Sequence, residues 1–159
     1  KNTFGLTSGE SWLLDNIARV ESGGKKNAMG LPVNGDRAHG YFQFMGDSIR
    51  RYGYNKPTSE FLNNSADQVG MAKKFMNDLV RYSGNKINTQ NPTVKDLQML
   101  YAGWYSGPKA YKYLNNSSFM NKGQSASGVA MPSIAQAMNK IGKNTTKYNP
   151  NNYQPMYFK

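Results

Sequence analysis

Residues 7–24 read TSGESWLLDNIARVESGG, and this stretch decides the fold class. Thr7 and Glu10 stand three apart as a T-x-x-E capping box, in which each side chain takes up a free amide at a helix start. From Ser8 to Ser22, Leu13, Leu14, Ile17, Ala18 and Val20 follow at helical spacing, and Gly23-Gly24 stops the run. The reading is a helix over about 8–22 with one apolar face. Glu21 falls on that face, four residues after Ile17 and seven after Leu14. It also falls in the last turn, where the helix dipole disfavours negative charge. Both effects favour the neutral acid. A carboxylic acid that keeps its proton near neutral pH is equipped for general acid catalysis. The plain alternative is a Glu that bends into solvent, and this helix alone does not separate the two.

The same local signals recur toward the C terminus. Residues 25–41 carry Pro32, Asn34, Gly35, Asp36 and Gly40 and read as a loop. Asp47 or Ser48 is expected to cap a short helix ending at Gly53. Ser65 and Gln68 read as a second capping box, followed by Val69, Ala72, Met76, Leu79 and Val80 at helical spacing. Thr93 and Asp96 open a helix with Leu97, Leu100, Tyr101 and Trp104 on its stripe, ending at Gly107-Pro108. A last helix is expected from Pro132 through Ile141. Residues 115–130, rich in Asn, Ser and Gly, read as a mobile loop. The expectation is an all-α domain over residues 1–142 and an extended tail over 143–159 laid on its surface.

Composition narrows the partner. Lys and Arg outnumber Asp and Glu by 20 to 9, giving a formal charge of +11. That balance suits a polyanionic partner, although the plain reading of a solvated surface carries equal weight. The positive residues are dispersed and form no nucleic-acid arm, so nucleic acid is not expected. There is no cysteine and a single histidine, so no metal or cofactor is expected. No apolar run reaches transmembrane length, and membrane insertion is not expected. The chain opens at Lys1 without Met or a signal peptide, as a processed form or a piece of a larger protein would.

Three segments carry chemistry together: Glu21-Ser22-Gly23-Gly24, then Gly40-Tyr41-Phe42-Gln43-Phe44-Met45, then Trp104-Tyr105-Ser106-Gly107-Pro108-Lys109-Ala110. In this order, over roughly residues 12–114, the chain resembles lytic transglycosylases of the soluble-transglycosylase (SLT) type. That family shows a helix ending E-S-G, a G-x-x-Q-hydrophobic-M loop and a Y-N-x-G-P-x-A turn. The resemblance implies a lysozyme-like α fold with a groove for a sugar polymer. Glu21 would be the sole catalytic acid/base. Gln43, Met45 and Tyr41 would lie along the groove, and Ser22 beside the acid. The third motif is altered: Gly107, Pro108 and Ala110 match, whereas Trp104-Tyr105 replaces the family's Tyr-Asn pair. The family tyrosine helps hold the catalytic Glu. Tyr105 and Tyr101 are the candidates to replace it, with Tyr105 preferred and Tyr101 read as core.

The resemblance further implies peptidoglycan as substrate and action at the bacterial cell wall, in the periplasm, outside the cell or on a virion. A monomeric domain is expected. The product expected is a 1,6-anhydromuramoyl end. Asp36, otherwise a turn former, is the one candidate for a water-positioning base, which would make the protein a muramidase instead. A non-catalytic wall-binding module is the other alternative. His39 reads as a loop residue.

Overall fold

The computed structural model describes residues 1–126 and 128–159. The fold is all-α, with two small antiparallel ribbons between helices. Helix α1 (Ser8–Ser22) carries the expected reciprocal cap: the Glu10 amide donates to Thr7 Oγ1 at 3.2 Å, and the Thr7 amide to Glu10 Oε1 at 2.8 Å. Residues 9–18 of α1 are all buried, so this helix runs through the centre of the molecule. No helix among the described residues is long and apolar enough to cross a membrane.

After α1 the chain forms a ribbon of β1 (Ala38–His39) and β2 (Phe44–Met45), in register Ala38 to Met45 and His39 to Phe44. Helix α2 (Gly46–Arg51) follows directly. Neither Asp47 nor Ser48 caps it, because Met45 stands at its start with no side-chain cap. Helices α3 (Thr58–Asn63) and α4 (Ser65–Tyr82) come next. The expected Ser65–Gln68 box is not formed. The cap of α4 is Asn64, whose side chain accepts from the Asp67 amide at 2.9 Å, and Gln68 is fully buried and bonded elsewhere. Two adjacent polar residues compete for one capping position, and burial of Gln68 decides between them.

Helix α5 (Val94–Ser106) has the expected Thr93–Asp96 box and leads into a 3-10 turn, Pro108–Lys112. Helix α7 (Ile134–Lys143) is capped by an unforeseen box between Ser133 and Gln136. It lies against α5 more extensively than any other helix pair in the fold. Residues 115–130 differ from expectation. They hold the short helix α6 (Ser117–Met120) and a ribbon of β3 (Gln124–Ala126) with β4 (Val129–Met131); Ser127 lies outside the described residues. Asn116 caps α6 through the Phe119 amide, so a residue that reads as loop-forming serves as a helix start.

The core gathers Leu13, Leu14, Ile17, Phe42, Ile49, Phe61, Met76, Leu79, Leu97 and Leu100, each fully buried. The C-terminal segment has no helix or strand, as expected, yet it does not simply lie on the surface. Tyr148 and Phe158 are buried members of the same cluster. Burying a phenylalanine contributes roughly 1.5–3 kcal/mol, which gives an irregular segment reason to pack inward.

Candidate active site

The last turn of α1 brings Glu21 against α5. The Tyr101 hydroxyl donates to Glu21 Oε1 at 2.7 Å. Tyr101 is itself buried, on the helical stripe that the sequence assigned to the core. Tyr105 is four residues on, one helical turn, with its ring 6.1 Å from that of Tyr101. Its hydroxyl donates to the Pro132 carbonyl at 2.5 Å rather than to Glu21. The preference for Tyr105 as partner of the acid is therefore corrected. Trp104 takes the family's tyrosine position and has no hydroxyl; its indole packs on Phe44 and Phe75, and Tyr101, three residues earlier, faces the acid. Residues three apart share a helix face, so a hydroxyl can move by one turn and still reach the same carboxylate.

Electrostatics distinguish Glu21 from the other acids. Burial pushes its carboxyl up to about 6, against an opposing pull from the Tyr101 hydrogen bond and the positive charge of Lys140 on α7. Tyr101 is driven well above the ordinary phenol range, first by burial and then by the Glu21 charge, so it remains a donor. Burial and the same charge raise Tyr105. Nothing in the sequence pointed to Lys140, because α1 and α7 meet only in the folded chain.

The second segment is built around a sharp turn. Gly40 has φ +79°, and a Cβ there would overlap the Gln68 side-chain amide. Gln68 Oε1 accepts from the Tyr41 amide at 2.8 Å, and Nε2 donates to the carbonyls of Lys26 and Phe61, each at 3.1 Å. A buried amide thus satisfies its hydrogen bonds by fastening α4 to the turn, to the loop at Lys26 and to α3. Gln43 itself has φ +55°, an uncommon conformation for a residue with a side chain. Its Nε2 donates to the carbonyls of Gly40 at 3.0 Å and Ala28 at 3.3 Å. Met45 ends β2, half-buried. Tyr41 is turned toward the fold, with its hydroxyl 3.2 Å from Ser65 Oγ and its ring against Phe42 and Phe158. Ser22 hooks the end of α1, donating to the Ala18 carbonyl at 3.0 Å and accepting from the Lys25 amide at 3.2 Å.

Asp36 acts as a backbone acceptor through both oxygens. Its Oδ1 takes the amides of Arg37 at 2.7 Å and Gly46 at 3.1 Å, and its Oδ2 takes that of Asp47 at 2.9 Å. These bonds, the Asp47 amide foremost, hold its carboxyl below the ordinary range. His39 is buried on β1 beside it. The structure thus brings Glu21, Tyr101 and Tyr105 together and sets Asp36 to closing the 36–47 turn. A hollow of about 230 Å³ lined by Tyr52, Tyr54, Asp67 and Lys74 contains none of these residues.

A family model described as the transglycosylase SLT domain matches residues 7–154. Comparison with curated proteins and with solved structures returned no match. The matched span begins at the cap of α1, takes in Glu21, the Gly40–Met45 turn and α5, and ends within the inward-packed C-terminal segment. A match over nearly the whole chain, on a helical fold that carries a partly buried acid at the expected helix end, identifies the protein as a member of the lysozyme-like transglycosylase SLT family, whose domains act on peptidoglycan of the cell wall.

Proposed function

We propose that the protein is a peptidoglycan lytic transglycosylase that cleaves the β-1,4 bond between N-acetylmuramic acid and N-acetylglucosamine and leaves a 1,6-anhydromuramoyl end. The observation that carries this reading is the state of Glu21: a carboxyl raised to about 6 and held on one oxygen by a phenol that does not ionise. With Oε1 accepting from Tyr101, the acidic proton is left to Oε2, free to face a substrate. Glu21 delivers that proton to the glycosidic oxygen as the C1–O bond breaks. The N-acetyl group of the muramoyl ring stabilises the developing positive charge at C1, as in substrate-assisted glycosidases. Glu21, now a carboxylate, takes the proton from the C6 hydroxyl, and O6 bonds to C1. One proton leaves Glu21 and one returns, and no water is consumed. The reaction takes place where peptidoglycan is, outside the cytoplasmic membrane.

The muramidase alternative requires a second carboxylate with a free oxygen for water. Asp36 already takes three backbone amides, and they lower its pKa and make it a weaker base, which disfavours that reading. The intact acid in a raised-pKa setting likewise disfavours a non-catalytic wall-binding module. Mass spectrometry of purified peptidoglycan after digestion tests the proposal. Muropeptides lighter by one water than lysozyme products are expected. Reducing ends alone would overturn the lyase assignment, and the absence of any cleavage would overturn the enzymatic one.

A further inference from the structure

Asp15 lies in the middle of α1, fully buried, and the reaction described above does not use it. Its Oδ2 accepts from the Met156 amide at 2.9 Å, and its Oδ1 from the Tyr157 amide at 3.1 Å and the Phe158 amide at 3.4 Å. The Tyr153 hydroxyl donates to it as well. One carboxylate thus collects three consecutive amides and fixes the register of the C-terminal segment on α1. Phe158 is fully buried, with ring centroids 5.0 Å from Tyr41 and 5.3 Å from Phe42, next to Gln43 in the chain. Its carbonyl is held by Asn2 Nδ2 at 2.7 Å. Tyr157 covers Gly24, where φ is +78° and an added Cβ would overlap the phenol ring. Gly24 ends the turn that begins at Glu21, and its amide returns to the Ala18 carbonyl of α1 at 3.2 Å.

We propose that residues 153–158 are a strap that positions both groove-forming segments, with Tyr157 holding the Glu21–Gly24 turn and Phe158 holding the Tyr41–Gln43 turn. The proposal rests on the lyase reading for its effect on catalysis, but not for its effect on the turns. Tyr157 and Phe158 are positioning residues: they act through Gly24 and through Tyr41 and Phe42. A packed strap bars the end of α1 from fraying, which keeps water from the Glu21 carboxyl. Tyr101, Tyr105 and Lys140, the other groups facing that carboxyl, stay where they are.

The test compares Tyr157→Ala, Tyr157→Phe and Phe158→Leu with the full chain, the last keeping a buried apolar side chain. Amide hydrogen exchange is measured across residues 21–25, 40–44 and α4, together with the pH dependence of kcat on soluble glycan strands. In Tyr157→Ala, amides of 21–25 are expected to exchange at least about tenfold faster than in the wild type while those of α4 keep their rates. Phe158→Leu is expected to do the same at 40–44. On folded Tyr157→Ala, kcat is expected to fall about tenfold, since small misplacements of a catalytic group are costly. The descending limb of its pH profile should move to lower pH, because a rehydrated Glu21 loses the burial that raises it. Tyr157→Phe, which keeps the ring, is expected to match the wild type in both measurements. Equal acceleration of all amides, or unchanged exchange at 21–25 and 40–44, would overturn the strap. So would a wild-type pH limb and kcat in folded Tyr157→Ala. If the wild type itself proves inactive on glycan, the lyase reading fails and the exchange rates alone decide the strap.

Discussion

Glu21 and Asp36 are two carboxylates on different parts of the molecule, and their surroundings push them in opposite directions. Asp36, just before β1, receives three backbone amides that favour its charged form. Its pKa is lowered. Glu21, at the end of α1, is desolvated and receives a single phenol, and its pKa is raised to about 6. A carboxylate surrounded by N–H donors is stabilised as a charge and spent as a structural pin. One that is buried with too few donors keeps a proton it can give away. Burial and the count of donors together, more than the residue type, separate the two roles.

Substitution of each acid gives the largest contrast. Glu21→Gln is expected to lower the cleavage rate by at least about a thousandfold, whereas folded Asp36→Asn should stay within a few-fold of wild type. Both are read by release of soluble muropeptides. Comparable losses at the two positions would remove the distinction and revive the muramidase reading.

Stability should move the other way. Between the ordinary carboxyl value and about 6, folded Glu21 binds more protons than the unfolded chain does, so stability falls as pH rises through that window. At neutral pH the ionised, partly buried carboxylate costs on the order of 1–2 kcal/mol. Glu21→Gln is therefore expected to be the more stable protein at pH 7, with the gap closing by about pH 4, as denaturant titrations at the two pH values would show. Asp36→Asn should be less stable at pH 7 by about 1 kcal/mol, because the amide cannot accept on both sides. The stabilisation that Asp36 supplies is present above its unfolded pKa and is lost as pH falls through its lowered folded value.

Removal of the single phenol donor sharpens the comparison further. Tyr101→Phe leaves burial of Glu21 unopposed by the hydrogen bond, so the descending limb of the pH–rate profile should move above about 6. A decrease in kcat of roughly tenfold is expected as the acid loses its orientation. Lys140→Gln should move the limb in the same direction by a smaller step, because its charge is a lesser influence than the hydrogen bond. A limb that moved to lower pH in either variant would show that desolvation does not dominate at Glu21.

What sequence determined by itself was local. The Thr7–Glu10 box, the apolar stripe of α1 and the glycine stop depend on residues within a few positions of one another, and they define α1 to its ends. The Thr93–Asp96 box and the stripe of α5 were legible for the same reason. Glu21 stood out because its place on an apolar face in a last turn is a statement about one helix. The errors arose where local signals tied or distant ones prevailed. Asn64 and Ser65 offer equivalent caps, and burial of Gln68 under the loops chose Asn64. Tyr101 and Tyr105 lie one turn apart on α5, and only the way α1 crosses that helix makes Tyr101 the partner of Glu21. The Asn- and Pro-rich C-terminal segment has no periodicity to announce it, yet three of its amides find Asp15, a partner some 140 positions away in the chain. Helix periodicity and caps report what a residue does with its neighbours in sequence. The partner of a buried polar group is decided by which segments the closing core presses together, and that choice belongs to the tertiary structure alone.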